Sequence, residues 1–299
     1  MASADSGATS KLGLIGIGNI GFAAASRLLS LGHTLAVYDT NRSAVERAIQ
    51  LGATAAASPS DLARDCQIVL LSLPSPDVVA AVASEVVAHG QAGLVIVDLS
   101  TNDPQTARRI HEAARARSIA YVDAPVSGGP SRARTGELTI MAGGEEDAVD
   151  RVRPVLEALA KQVEYAGASG SGATAKLLNN FVAIWGMIGV SQAFLAASSL
   201  GVSQQRLYEI MAKSSGRSYS LDRNFPKIRD QNFAPDFSLD LAEKDMRLAV
   251  QLMNDAGFDA FAQGQIHTLF ARTGEGDGGS KDIAAMYGTL ASLLSRDRQ

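Results

Sequence analysis

Up to about residue 166 the chain repeats one pattern: a short apolar run, a stretch of helical character, then another apolar run. The runs are KLGLIG (11–16), TLAVYD (34–39), QIVLLSLP (67–74), LVIVDLS (94–100), IAYVDAP (119–125) and ELTIMAG (137–143). Several are apolar throughout rather than at every second position, the mark of parallel strands covered on both faces. Segments such as 19–31, 43–51, 76–89 and 104–117 read as the intervening helices. The alternation predicts an α/β fold with a doubly wound, mostly parallel sheet.

After Ser169 the pattern stops, and the remainder reads as helices. The expected organisation is a disordered leader of small and polar residues (1–10), a nucleotide-binding domain (11–168) and an all-α domain (169–299) for substrate binding and oligomerisation. That last domain opens with a long interdomain helix at about 172–200. Asp-Arg-Asn-Phe-Pro (222–226) and GEGDGG (274–279) read as loops. The apolar stretch 177–200 is interrupted by Asn179, Asn180, Ser191, Gln192, Ser198 and Ser199, which argues for a buried helix and against a membrane span. Leu177, Phe181, Ile184, Trp185, Ile188 and Phe194 point in several directions around it, so it must be covered on most sides, and a homo-oligomer is expected. Trp185, Met187 and Met211 are most simply core. A net charge of −4 gives no footprint for nucleic acid, and a single cysteine, Cys66, permits no internal disulfide, which fits a cytoplasmic setting.

The first apolar run ends in GIGNIG, with Gly16, Gly18 and Gly21 at the spacing of a Rossmann dinucleotide turn. Gly16 permits the tight turn, Gly18 lets the backbone approach a pyrophosphate, and Gly21 lets the helix sit against the strand. The N–H groups of Asn19, Ile20 and their neighbours then open the helix toward the phosphates. Such a motif can also be an α/β turn that binds nothing, but here it stands between a strand and a helix, as binding requires. Asp39 ends the second run at roughly the twenty-residue distance expected of a ribose-binding acid. A carboxylate there repels a 2′-phosphate, so NAD is expected rather than NADP. Arg42, beside it, is either a phosphate partner that would admit NADP or a solvated residue at a helix start.

Four motifs together carry a family resemblance: GIGNIG (16–21), DAPVSGG (123–129), GSGATAKLLNN (170–180) and FSLDLAEKD (237–245). With them the chain, from about residue 11 to about 290, resembles the β-hydroxyacid dehydrogenases, the family of 3-hydroxyisobutyrate dehydrogenase, tartronate semialdehyde reductase and, more distantly, 6-phosphogluconate dehydrogenase. The resemblance implies Lys176 as catalytic acid/base and Asn180 as a substrate-holding residue. Ser127, Gly128 and Gly129 then line the substrate site, Lys244 lies near the nicotinamide, and Leu73, Pro74 and Thr101 belong to cofactor-contacting loops.

Physical chemistry supports these roles separately. DAPVSGG follows a strand, where open α/β sheets bind ligands, and its glycines and Ser127 offer donors to a carboxylate; read alone, it is equally an ordinary Pro/Gly turn. Lys176 stands among Leu177, Leu178 and Phe181 with Asn180 one turn on, so desolvation would lower its pKa toward useful proton transfer. The plainer reading is a lysine snorkelling from the helix start. Imine reductases share the architecture but generally lack this lysine, and NADP-preferring relatives carry an Asn-Arg pair where Asp39 stands. Arg217, in the turn SSGRS (214–218), either adds charge to the carboxylate site or is solvated.

His33, His89, His111 and His267 are scattered, and no metal site is expected. His33 fits a helix-ending turn after Gly32. The expected reaction is NAD(P)-dependent, reversible oxidation of a small 3-hydroxy acid to its semialdehyde or keto acid. An imine reductase, or a nucleotide sensor without catalysis, would use the same fold.

Overall fold

The computed structural model describes residues 11–258 and 263–296. The expected leader, 1–10, lies outside them. Contacts divide the chain into two compact units, one through Lys176 and one from Leu177.

The first unit runs β1 (Leu12–Ile15), α1 (Asn19–Ser30), β2 (Leu35–Tyr38), α2 (Arg42–Gln50), β3 (Thr54–Ala55), α3 (Pro59–Asp65), β4 (Ile68–Leu71), α4 (Pro76–His89), β5 (Val95–Asp98), α5 (Pro104–Arg115), β6 (Ala120–Asp123), β7 (Val126–Ser127), α6 (Gly129–Thr135), β8 (Leu138–Gly143), α7 (Glu146–Leu159) and β9 (Ala160–Gly167). It ends in the first turn and a half of α8 (Ser171–Ser199). All six runs read as strands are strands, and the fold is the expected Rossmann-like one. The order is β3-β2-β1-β4-β5-β6-β8-β7, parallel from β3 to β6; β8 runs antiparallel to β6 and β7, and β9 pairs with β8. Local chemistry starts the helices. Asn41, Ser58, Ser75 and Asp103 each accept from a backbone N–H of the first turn, and Pro59, Pro76 and Pro104 sit where no N–H is needed.

The strands are apolar throughout because both faces are covered. Val95 and Val97 face one core with Leu12, Leu14 and Leu70, while Ile96 faces the other with Ile15, Val69 and Leu71. The chain leaves β1 toward β2 on one side and returns to β4 on the other, which makes β1/β4 the switch point where such sheets open a crevice at their carboxyl ends. Gly32 takes φ +84° after α1, so His33 does lie in a helix-ending turn.

The second unit holds the rest of α8, then α9 (Gln204–Met211), α10 (Tyr219–Arg229), α11 (Leu239–Asp255), α12 (Gln263–Thr273) and α13 (Met286–Arg296). By length and composition alone α8 could cross a membrane, so its polar interruptions do not exclude that. Packing buries only part of it, 39% of its most apolar window. Ile184, Met187 and Ile188 join a core with Leu239, Met246, Ile266 and Phe270, while Val190 and Phe194 join Leu221, Phe225 and Ile228. Met187 is buried, Trp185 and Met211 half-buried against these cores.

The loop reading of 222–226 is overturned. Those residues lie inside α10, whose Leu221, Phe225 and Ile228 recur at helical spacing on one buried face. Pro226 forfeits one helical hydrogen bond, and burial of that face outweighs the loss. GEGDGG forms the expected turn, part of it a 3-10 turn at Gly278–Ser280.

Candidate active site

Two of the three fingerprint glycines are required by position. Gly16 holds φ +93°, and a Cβ there would fall 2.2 Å from the Ser72 carbonyl oxygen. A Cβ on Gly21 would fall 1.9 Å from the Gly16 carbonyl oxygen, so the helix can approach the strand this closely only with glycine. Gly18 differs, because a Cβ there meets nothing within 4 Å. It borders open space at the start of α1, where no side chain caps the helix and Gly18 and Asn19 are exposed. Uncapped N–H groups beside open space are what a dinucleotide pyrophosphate fits.

Asp39 leaves the end of β2 and turns back to this loop. Its Oδ2 accepts from the Ile17 N–H at 2.6 Å and its Oδ1 from the Asn41 N–H at 2.7 Å. Each oxygen keeps a further lone pair for a ribose hydroxyl. Arg42 is exposed at the first position of α2.

Leu73 and Pro74 follow β4, and Thr101 follows β5, at the same carboxyl edge. A buried carboxylate orders both loops. Asp98 accepts from the Ser100 N–H at 3.0 Å, Asn102 Nδ2 at 3.1 Å and the Tyr121 hydroxyl at 2.9 Å. Ser100 Oγ in turn accepts from the Leu73 N–H at 2.9 Å. Burial pushes the Asp98 carboxyl above its ordinary range against these hydrogen bonds, and holds the Tyr121 phenol well above its own.

Ser127 ends β7, and Gly128 and Gly129 follow at φ +130° and +76°, all half-buried; Gly129 borders open space, while Gly128 packs against Arg132 and Leu138. The positive φ values give these glycines a conformational reason, and the loop also stands at the ligand-binding edge. Lys176 is buried in α8 with 7% of its surface exposed, which sets aside snorkelling to solvent. Asn180 follows one turn later, equally buried.

In the second unit Asn180 Nδ2 donates to Asp245 Oδ2 at 2.6 Å, and Lys244 Nζ lies 3.1 Å from Asp245 Oδ1. Asp245 is itself buried, so α11 joins three polar groups of two motifs into one network. Arg217 stands apart, exposed in the turn between α9 and α10. Sequence reasoning missed Asp98, Asp123 and Asp245. A signal existed for the first two: like Asp39, each is the acid that ends an apolar strand, in IVD and YVD as in VYD. Among the described residues no cluster of metal-ligating side chains occurs.

Comparison with known proteins places these features in company. Residues 11–167 match the model of the NAD binding domain of 6-phosphogluconate dehydrogenase. Residues 170–290 match that described as the NAD-binding domain of NADP-dependent 3-hydroxyisobutyrate dehydrogenase. An NAD-dependent L-serine dehydrogenase of Pseudomonas aeruginosa is 36% identical over 251 residues, covering 80% of this chain and 84% of its own. The solved structure of a Mycobacterium tuberculosis 3-hydroxyisobutyrate dehydrogenase with L-serine superposes with a TM-score of 0.88 at 29% identity, over 95% of this chain and 99% of that one. An imine reductase from a Pseudomonas species, at 20% identity and a TM-score of 0.63 over 95% of this chain and all of that one, shares the fold.

Proposed function

Because the chain belongs to the β-hydroxyacid dehydrogenase family, whose cofactor is a nicotinamide dinucleotide, we propose that it oxidises a small 3-hydroxy acid reversibly to its semialdehyde or keto acid, with Lys176 as general acid/base. The observation that carries this reading is the burial of Lys176 beside the equally buried Asn180, one turn apart on one helix.

The substrate carboxylate meets the N–H groups of Gly128 and Gly129 and the Ser127 hydroxyl. Lys176 takes the proton of the substrate hydroxyl during oxidation and returns it to the carbonyl oxygen during reduction. Asn180 holds that oxygen in reach of the lysine. Residues Gly16 to Gly21, Asp39, Leu73, Pro74, Thr101 and Lys244 hold the dinucleotide, with Asp39 selecting NAD over NADP. The nicotinamide ring supplies the hydride acceptor, and the protein supplies position and proton transfer.

The serine and hydroxyisobutyrate dehydrogenases among the relatives support a substrate of this size. A second copy of the chain is the proposed partner, since Leu178, Val182 and Leu200 remain exposed on or just beyond α8. The test is a panel of 3-hydroxyisobutyrate, serine, glycerate, threonate and a cyclic imine with each dinucleotide, followed by absorbance of the reduced cofactor. Turnover of a hydroxy acid supports the reading, and turnover of the imine alone overturns it.

A further inference from the structure

Helix α8 begins without a cap of its own. Gly170, the residue before it, has no side chain and takes φ +88°. None could be added, since a Cβ there would lie 2.9 Å from the Pro104 carbonyl oxygen and 3.0 Å from the Arg108 guanidinium. The cap comes from 47 residues upstream. Asp123 Oδ1 accepts from the Gly170 N–H at 2.8 Å, and Oδ2 from the Ala173 N–H at 2.9 Å. Ala173 is the third residue of the helix, whose N–H an ordinary N-cap side chain would satisfy. The Ser169 hydroxyl approaches Oδ1 at 3.5 Å.

A second observation is steric. A Cβ on Gly172 would fall 2.3 Å from the Met141 carbonyl oxygen and 2.4 Å from that of Asp123. One on Gly143 would fall 2.7 Å from the Gly172 nitrogen. The helix start is therefore pressed against β6 and β8 at glycine contact distance, and the carboxylate locks it there. Lys176 follows Ala173 by three residues, on the same side of the helix.

We propose that Asp123 is a positioning residue for Lys176, fixing where the helix that carries the lysine meets the sheet edge. The assignment rests on the reading of Lys176 as acid/base. It gives a task to the first residue of the motif whose Ser-Gly-Gly end lines the substrate loop: strand β6 sets the lysine by its last side chain and leads straight into that loop.

The test is a double-mutant cycle in the full-length enzyme. Asp123→Asn keeps the shape and loses one of the two acceptors. Asp123→Glu keeps the charge and lengthens the arm. Each should lower kcat by about tenfold to a hundredfold, the scale of misplacing a catalytic group by an ångström, with the KM for NAD within about twofold. In a Lys176→Ala background either change should lower the residual rate by less than about twofold, because a residue that acts only through the lysine has nothing left to position. Equal losses in both backgrounds, or wild-type kcat in both Asp123 variants that fold, overturn the proposal. Should one variant fail to fold, the other carries the cycle. Should both fail, Gly172→Ala, whose Cβ presses the helix start against the Asp123 carbonyl and carboxylate, must show the same background dependence or the proposal falls. Wild-type turnover by Lys176→Ala itself would instead refute the acid/base reading, whatever Asp123 does.

Discussion

The two units secure their buried carboxylates differently. At the sheet edge of the first, Asp123 accepts from backbone N–H groups, and Asp98 from a backbone N–H and neutral side chains. In the second, Asp282 is fully buried and faces two cations, Arg223 Nη2 at 2.7 Å and Lys227 Nζ at 3.5 Å, while also accepting from the N–H groups of Asp236, Phe237 and Ala284. The electrostatic result is opposite. Burial drives Asp98 and Asp123 above the ordinary carboxyl range, and the neighbouring Asp98 in the register of β5 and β6 adds to the shift of Asp123. Asp282 also suffers desolvation, yet Arg223 and the N–H donors bring it below that range. The sheet edge fixes loops through their backbones and tolerates carboxylates that resist ionising. The helical unit ties distant segments by charge.

The largest effect should fall at the proton-transfer group. Lys176→Ala is expected to lose roughly 10²–10⁴ in kcat, the range of general acid–base catalysis, with little change in NAD affinity. Titration of the variant with NAD by fluorescence and steady-state rates of hydroxy-acid oxidation check both halves.

Next is the ion pair of the helical unit. Arg223→Ala leaves Asp282 buried with a weaker partner, and removing one side of a buried pair destabilises by roughly 3–5 kcal/mol. A denaturant midpoint that does not move would show the pair to be dispensable. The pH dependence sharpens the contrast. A carboxyl lowered on folding, as Asp282 is, stabilises above its unfolded value and loses that contribution as pH falls through its folded value. Asp98 and Asp123, raised on folding, do the reverse: their contribution is present at low pH and is lost as pH rises through their folded values. Acid should therefore loosen the second unit first. Trp185, the sole tryptophan, lies in that unit, so its fluorescence should change at higher pH than the far-ultraviolet circular dichroism of the whole chain.

A smaller effect belongs to Asp39. Asp39→Ala should narrow the preference for NAD over NADP by about tenfold, or 1.4 kcal/mol, in the ratio of kcat/KM values. Wild-type preference for NADP would promote Arg42 instead. The smallest is Arg217→Ala. With the guanidinium exposed, the KM for a carboxylate substrate should stay within about twofold, whereas a rise of tenfold would return Arg217 to the site.

The strands that build the site were legible because each is a run of apolar residues that only a doubly covered strand explains. Strand β9 was not, since AKQVEYAG is polar and mostly exposed along its length, and β3 and β7 span two residues each, too few for a period. Helix α10 was hidden by Pro226, a local signal that tertiary burial overrode. The glycine turn was legible through its spacing, and Lys176 was singled out by the resemblance of its motif. Asp98 and Asp123 carried only the signal of an acid ending an apolar strand, and Asp245 carried none, because a carboxylate's hydrogen-bond partners lie up to 65 residues away in sequence and only the fold brings them near.

The division of contacts between Lys176 and Leu177, rather than at the expected 168/169, follows from the bonds that tie the first turn of α8 to Asp123. It marks a natural seam for recombination. A chimera joined at 176/177 would inherit the dinucleotide turn, the strand-end acids and the lysine from one parent, and Asn180, Lys244 and Asp245 together from the other.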